Sequence, residues 1–183
     1  RDPLDVINQE IVPALDVVGK GFEKGTVFLP QLLMSAEAAK AAFEVIKEQM
    51  NRSGQTQESK GTIVLATVKG DIHDIGKNIV KVLLENYSYQ VVDLGKDVPP
   101  ETVVEEAVRL HVPLVGLSAL MTTTVPSMEE TIRRLRQEAP WVKVMVGGAV
   151  LTQEYADSIG ADQYCSDAMA SVNYAEMVFG GGK

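Results

Sequence analysis

The sequence predicts a parallel α/β sheet preceded by a small all-helical region. Three observations support this prediction. Short apolar runs alternate with helical stretches in residues 61–183, and apolar residues recur at helical spacing in residues 1–50. Between the two regions, residues 51–60 contain no apolar side chain. We therefore expect a helical domain at 1–50, a linker at 51–60 and an α/β domain at 61–183.

Two or three amphipathic helices are predicted in the first region. The first apolar repeat comprises Ile7, Ile11, Leu15, Val18 and Phe22. A second and cleaner repeat comprises Leu32, Ala36, Ala39, Phe43, Ile46 and Met50. Pro13 marks a helix start or a kink. Because so few helices bury little apolar surface by themselves, we expect them to pack on the α/β domain, a partner helix or a ligand.

The second region contains a run of predicted strands separated by crossover helices. The strands are Thr62–Val68, Tyr89–Leu94, Pro113–Leu117, Val142–Val146 and Ala161–Cys165. This β-α repetition predicts a five-stranded parallel sheet with helices on both faces and the flavodoxin-like (Rossmann-like) order 2-1-3-4-5. Ligands of such sheets bind beyond the carboxyl ends of the strands, near the switch between strands 1 and 3.

Composition narrows the possible functions. With 17 basic and 25 acidic residues, the chain has a net charge of −8 and no basic run, which argues against binding nucleic acid or anionic lipid. Cys165 is the only cysteine, so no intrachain disulfide can form, and we interpret it as a small core residue. We find no apolar run long enough for a membrane span and no signal-peptide layout. The expectation is a soluble cytoplasmic protein.

The most informative stretch is Gly-Asp-Ile-His-Asp-Ile-Gly at 70–76, directly after the first strand. Asp71 and His73 are two residues apart, so in an extended turn their side chains lean the same way. A metal-bound imidazole usually has its far nitrogen held by an acceptor, which Asp71 can supply. Gly76 allows a bulky ligand to approach the backbone where the next helix begins. In isolation, His73 would be read as a surface histidine.

Two further loops are expected at the same edge of the sheet. The loop after strand 3 begins at Ser118 and contains the hydroxyls of Thr122, Thr123 and Thr124, and the loop after strand 4 contains Gly147-Gly148-Ala149. Each feature also has a purely structural explanation. Asp74 can be a helix N-cap, the threonines can cap a helix near Pro126, and the paired glycines can be a tight turn. His111, Trp141 and the methionines receive no function.

The three loops together resemble the base-off, histidine-on cobalamin-binding domains. Asp71-Ile-His73-Asp-Ile-Gly76 matches the D-x-H-x-x-G signature of that family, and residues 118–124 and 147–149 are similar to its second and third cofactor loops. Residues 18–32 resemble the helical cap of the members that carry methyl groups. The family includes the small corrinoid proteins of anaerobic methyltransferase systems and the cobalamin module of methionine synthase.

The resemblance implies a role for each matching residue. His73 would be the lower axial ligand of cobalt, Asp71 would orient it, and Thr124 would complete a ligand relay. Phe28 would cover the methyl face of the corrin. The remaining positions implied to contact the cofactor are Gly70, Ile72, Asp74, Gly76, Ser118, Leu120, Thr122, Gly147, Gly148 and Ala168.

The resemblance also implies the function and the partners. The chain would be a methyl carrier with cobalamin or a related corrinoid as its cofactor, methylcobalamin as the loaded form, and no complete enzyme activity of its own. Its partners would be a substrate:corrinoid methyltransferase, a second methyltransferase with a folate or thiol acceptor, and a reductive activator. Two alternatives stay open: the small subunit of an adenosylcobalamin-dependent mutase, and a cobalamin-dependent sensor. The family's cap is commonly a four-helix bundle, whereas residues 1–50 predict two or three helices.

Overall fold

The computed structural model describes residues 3–52 and 58–181. Its sheet has five parallel strands in the order β2-β1-β3-β4-β5, as predicted. The strands are β1 Thr62–Thr67, β2 Gln90–Asp93, β3 Leu114–Ser118, β4 Lys143–Gly147 and β5 Gln163–Tyr164. Each lies within two residues of its predicted bounds, because the apolar runs that predicted them are the buried centres of the strands.

Helices cover both faces of the sheet. The crossover helices are α4 Ile75–Asn86, α5 Pro100–Leu110, α6 Val125–Glu138 and α7 Gln153–Ser158, and α8 Ala168–Gly180 follows β5. A short 3-10 turn, Thr122–Thr124, precedes α6. On one face, α5, α6 and α7 pack in a core that includes Val103, Ile132 and Ala156. On the other face, α4 and α8 pack in a second core that includes Leu83 and Val172.

The N-terminal region is helical, as predicted. The helix α1 Pro3–Val6 continues through a π-helical segment, Ile7–Ile11, into α2 Val12–Glu23. Pro13 lies at the start of α2, directly after the π-helical segment, so the hydrogen-bond step of the helix changes next to a residue that has no N–H to donate. A loop then leads to α3 Leu29–Arg52. The π-helical segment was not predicted, because an apolar repeat does not report where the hydrogen-bond step changes.

The helix α3 continues to Arg52, so the first two residues of the predicted linker are helical. The apolar pattern identified the packed side of α3, and it does not show where backbone hydrogen bonding stops. Residues 53–57 of that linker, and residues 1, 2, 182 and 183 of the two predicted domains, lie outside the described residues.

The helical region packs on the α4/α8 side of the sheet. Leu15 of α2 and Leu32 of α3 are buried in the same core as α4 and α8. The Tyr87 hydroxyl, just after α4, donates a hydrogen bond to Asp16 of α2. Gly19 of α2 lies against Met169 of α8, where an added Cβ would be 2.5 Å from the Met169 Cγ. Within the described residues, no helix has the length and apolarity needed to cross a membrane.

Candidate functional site

The loops that follow β1, β3 and β4 meet at the carboxyl edge of the sheet. The backbone N–H of Val68 donates to the Ser118 carbonyl at 3.0 Å, and that of Ala119 donates to the Gly147 carbonyl at 3.2 Å. The three motif-bearing loops are therefore joined through their backbones. This edge is where parallel α/β sheets bind their ligands.

His73 is held by Asp71. The Nδ1 of His73 lies 2.8 Å from the Oδ1 of Asp71, and the backbone N–H of His73 donates to the same oxygen at 3.0 Å. Asp71 is fully buried, whereas the side chain of His73 is 47% exposed. A carboxylate only accepts hydrogen bonds, so the Nδ1 carries the proton and the lone pair of the imidazole is on Nε2. No residue of the described ranges hydrogen-bonds to that Nε2.

The second carboxylate oxygen of Asp71 is bound by the loop after β3. Oδ2 accepts from the backbone N–H of Leu120 at 2.7 Å and of Met121 at 3.3 Å. The hydroxyl of Thr124 is 2.9 Å from the same oxygen, and 2.8 Å from the Met121 carbonyl, so its one proton is shared between two acceptors. One buried carboxylate thus connects the histidine loop to the threonine turn.

These donors keep Asp71 ionised. Burial by itself raises the pKa of the Asp71 carboxyl, but the N–H groups of Leu120 and His73 oppose it, as do the His73 imidazole and the Thr124 hydroxyl. The net result is a pKa well below the usual range for aspartate. Asp71 is therefore a permanent acceptor for the proton on His73 Nδ1.

A cavity of about 540 Å³ opens beside His73. Its sides are formed by α4 and the start of α8, and its floor by Leu65, Gly116 and Met145 on the central strands. Phe22 and Leu32 of the helical region also contact the cavity. Predicted site residues that line it are Ile72, His73, Asp74, Gly76, Ser118, Leu120, Gly147, Gly148 and Ala168.

Gly76 and Gly148 serve different purposes. Gly76 lies in the first turn of α4, and an added Cβ there would meet nothing within 4 Å, which leaves room for a ligand. Gly148 has φ +141°, and an added Cβ would be 1.7 Å from the Ala119 carbonyl oxygen. The close approach of two backbones therefore requires glycine at position 148 whether or not a ligand lies beside it.

Some predicted residues lie outside the cavity wall. Phe28 is 67% exposed just before α3 and does not line the cavity. Thr122 is exposed at the start of the 3-10 turn and does not line it either. Gly70, at φ +85°, donates its N–H to Asp97 and shapes the loop rather than the wall. Sequence spacing brought these residues to the correct edge without determining their side-chain directions.

Asp74 and the threonine turn differ from the capping alternatives. Asp74 occupies the N-cap position of α4, but its side chain makes no capping hydrogen bond. Thr124 occupies the N-cap position of α6 without a side-chain cap, since its hydroxyl is directed to Asp71 and Met121. Neither residue is explained by helix capping.

Lys77 is a site residue that the sequence analysis missed. It lines the cavity and is only 4% exposed, with its Nζ 2.6 Å from Asp93 Oδ1 and 2.9 Å from Asn78 Oδ1. Burial raises the pKa of Asp93, but the Lys77 hydrogen bond, the Gly95 N–H and the charges of Lys77 and Lys81 together outweigh it, so the net pKa is lowered. From the sequence, a lysine in an amphipathic helix is expected to be exposed to solvent. The pairing of Lys77 with Asp93 becomes visible only when α4 is packed against β2.

The residues present fit a large metal-containing cofactor. The imidazole of His73 presents a free ring nitrogen beside a deep, mostly apolar cavity whose floor contains a glycine in mid-strand. Among the described residues, no group of three or more His, Cys, Asp or Glu side chains forms a metal site. Fold and site together define an α/β protein with a cofactor site at the carboxyl edge of its sheet.

Comparison with known proteins gives the same class. A family model described as a B12 binding domain matches residues 61–173, and a second model of that description matches residues 1–47. The chain belongs to this family, and its cofactor is a corrinoid.

Two relatives and one solved structure narrow the class further. Dimethylamine corrinoid protein 1 of Methanosarcina acetivorans is 42% identical over 96% of this chain and 83% of the relative. Trimethylamine corrinoid protein 1 of Methanosarcina mazei is 44% identical over 91% of this chain and 78% of the relative. The methanol:cobalamin methyltransferase complex MtaBC from Methanosarcina barkeri matches with a TM-score of 0.81 and 34% identity, over 100% of this chain and 69% of that one. This chain is one of the corrinoid proteins that carry methyl groups within multi-component methyltransferase systems.

Proposed function

We propose that this chain binds its corrinoid base-off, with Nε2 of His73 as the lower axial ligand of cobalt. The observation that supports this most directly is the geometry of the His73–Asp71 pair, with Nδ1 and Oδ1 2.8 Å apart. An acceptor on one ring nitrogen fixes the tautomer and leaves the other as a metal ligand. Held by His73 in this way, the corrinoid would supply the cobalt on which a methyl group is carried.

The displaced base of the cofactor needs a place of its own, and the cavity supplies it. The wall begins at His73 and reaches Leu65, Gly116 and Met145 between the helices and the sheet. Gly76 leaves open space at its mouth. We assign the nucleotide tail to this cavity, with Ser118, Leu120, Gly147 and Ala168 among its contacts.

Thr124, Asp71 and His73 form the proposed ligand relay. Asp71 remains ionised while His73 keeps its Nδ1 proton, so the imidazole binds cobalt as a neutral ligand. With no metal on it, the Nε2 of His73 would be free to take up a proton, and Asp71 would stabilise the resulting charge. The Thr124 hydroxyl adjusts how strongly Asp71 attracts the Nδ1 proton.

We assign the helical region the role of a cover for the cofactor. Phe22 and Leu32 already contact the cavity, and Phe28 is exposed and available to a ligand that extends beyond the wall. Residues 1–50 would form the covering domain, 61–183 the cofactor domain, and 51–60 a linker that lets the cover move aside for partners.

The partners we propose are three. One methyltransferase would transfer a methyl group from a substrate to the corrinoid, and a second would transfer it on to a folate or a thiol. A reductive activator would return oxidised cobalt to its reduced state. Relatives of similar identity are named for dimethylamine and for trimethylamine, and the matching complex is named for methanol. Because relatives named for different donors are about equally similar to this chain, we assign the choice of donor to the partner.

The test is His73→Ala in protein reconstituted with corrinoid. We expect the variant to lose the nitrogen hyperfine splitting that a histidine gives to the electron paramagnetic resonance of Co(II). His111→Ala is the matched control, because His111 stacks on Trp141 with ring centroids 4.3 Å apart and does not line the cavity. Unchanged hyperfine structure in His73→Ala would refute ligation by His73.

A further inference from the structure

Gly116 is a glycine in the middle of the central strand β3. It is buried, and it pairs in register with Leu65 of β1 on one side and Met145 of β4 on the other. Its φ is not in the left-handed region, so the backbone does not require glycine there. Glycine in a strand interior weakens the strand and often marks a place where something approaches the backbone closely.

The side chains of Leu65 and Met145 occupy the space above Gly116. A Cβ added at this position would be 2.5 Å from Leu65 Cδ2 and 3.0 Å from Met145 Cε. Both residues are 2% exposed, and both line the cavity together with Gly116. Because Gly116 has no side chain, the side chains of Leu65 and Met145 lie close to the sheet. The cavity is therefore deeper here than it would be with a larger residue at position 116.

The opposite face of the same strand shows that this gap is local. Val115 and Leu117 alternate with Gly116 and point into the other core, beneath α5 and α6. That face contains large side chains throughout, as expected for a central strand. On β3, only the face that lines the cavity has a glycine, Gly116, in mid-strand.

We propose that Gly116 sets the depth of the cavity and so selects corrinoids by the size of the base at the end of the nucleotide tail. The proposal rests on the function above, in which that tail enters the cavity. The floor formed by Leu65, Gly116 and Met145 is apolar, so it suits a flat aromatic base and not a charged one. A methyl group at position 116 would push both neighbours upward and shorten the cavity.

The test compares two ligands on cofactor-free protein. The first is cobalamin, whose tail ends in dimethylbenzimidazole, and the second is cobinamide, which has no nucleotide tail. For Gly116→Ala we expect the affinity for cobalamin to fall about tenfold or more, as overpacking of a filled site implies. We expect the affinity for cobinamide to stay within about twofold, a change too small to reflect a lost contact. Equal losses for both ligands, or no loss for either, would overturn the proposal.

Val115→Ile is the matched control. It also enlarges a buried side chain of β3, but on the face away from the cavity. We expect its ratio of cobalamin to cobinamide affinity to equal that of the unaltered protein. A changed ratio in this control would mean that the strand, and not the cavity floor, controls binding, which would also overturn the proposal.

Met145→Ala tests the same proposal in the opposite direction and does not crowd the strand. The cavity floor of this variant is deeper. The variant should therefore bind a corrinoid with a larger naphthimidazole base more tightly, relative to cobalamin, than the unaltered protein does. Gly116→Ala combined with Met145→Ala should recover most of the lost cobalamin affinity. If Met145→Ala leaves the relative affinities unchanged, Gly116 does not set the depth.

One measurement separates this proposal from the proposed function. Protein labelled with ¹⁵N-histidine and loaded with Co(II) cobalamin reports whether the axial nitrogen comes from the protein or from the tail. An axial nitrogen from the tail would refute the base-off function itself. A labelled protein nitrogen together with an unchanged ligand ratio in Gly116→Ala would refute only the role of Gly116.

Discussion

Two donors of His73 converge on a single oxygen of Asp71. The ring Nδ1 lies 2.8 Å from Oδ1, and the backbone N–H of His73 is 3.0 Å from the same atom. The imidazole is therefore fixed at both its ring and its backbone by one buried carboxylate oxygen. Rotation of the ring away from this position breaks one of these hydrogen bonds and keeps the other.

Asp71→Asn should weaken ligation of the corrinoid by His73. The amide removes the charge that stabilises the Nδ1 proton, and loss of such a supporting partner typically costs 10- to 100-fold in metal affinity. The measurement is the fraction of bound Co(II) that shows histidine nitrogen hyperfine splitting. Asp157→Asn is the control, because Asp157 is exposed on α7 and does not line the cavity. Equal effects of the two substitutions would contradict the assignment.

Thr124→Val should make bound Co(II) harder to reduce. Without the hydroxyl at 2.9 Å, Asp71 attracts the Nδ1 proton more strongly, and the imidazole becomes a better ligand for the oxidised metal. A hydrogen bond to a charged group contributes about 1.5 to 3 kcal/mol, so for a one-electron couple its loss corresponds to a fall of at most about 60 to 130 mV in the midpoint potential. Thr124→Ser retains the donor and should keep the original potential. A spectroelectrochemical titration of the unaltered protein, Thr124→Val and Thr124→Ser measures the three midpoint potentials. Identical potentials would show that Thr124 is not part of the relay.

Acid should destabilise the cofactor-free protein partly through Asp162. Burial raises the pKa of this carboxyl, but the Val144 N–H, Arg136 and Lys143 outweigh it and hold the pKa below the ordinary 3.8. A pKa lowered by folding gives stability that is present above the ordinary value and is lost as the pH falls through the folded value. We expect Asp162→Asn to lower the free energy of unfolding by about 1 to 3 kcal/mol at neutral pH and by less in acid.

Urea unfolding from neutral pH into the acid range measures this effect. The control is Asp157→Asn, since Asp157 is exposed and its side chain accepts a hydrogen bond from Gln153. A loss of stability in Asp162→Asn that is the same at every pH would show that the charge of Asp162 is not responsible.

Gly19→Ala should disturb the contact between the helical region and α8. Its Cβ would be 2.5 Å from Cγ and 2.8 Å from Sδ of Met169, which is itself 7% exposed. Overpacking of this kind costs about 1 to 3 kcal/mol, against a gain of about 1 kcal/mol in helix propensity. The substitution should therefore cost less, or stabilise the protein, when Met169 is shortened to Ala.

Gly21→Ala provides the comparison. Its Cβ would meet Val27 at 2.6 Å, within the helical region itself. Urea unfolding of both substitutions, each with and without Met169→Ala, forms two double-mutant cycles. Coupling to Met169 should appear for Gly19 only, and coupling of equal size for Gly21 would contradict a specific contact.

The sequence was sufficient for the sheet and for the histidine loop. The strands were found because a parallel sheet buries both faces, so each strand is a continuous apolar run. His73 and Asp71 were found because their spacing within one turn limits where the side chains can meet. The meeting of three loops at one edge followed from strand order alone.

Other features depend on contacts between distant parts of the chain. Lys77 looks like a surface residue of α4 until β2 brings Asp93 to it. Gly116 looks like a weak position in a strand until the neighbouring Leu65 and Met145 are in place. Phe22 and Leu32, rather than Phe28, line the cavity because the packing of α2 and α3 on the sheet domain sets which side of each helix faces inward. The periodicity of a sequence identifies the apolar side of a helix, but it does not identify the element on which that side packs.

The two oxygens of Asp71 have separate duties, since one serves His73 and the other fixes the turn at Leu120, Met121 and Thr124. A descendant that lost the imidazole would still need the aspartate to keep that turn in shape. We therefore expect the residue equivalent to Asp71 to be retained longer than the one equivalent to His73 when this motif is lost in evolution. An aspartate without the histidine would then mark a protein descended from a corrinoid binder.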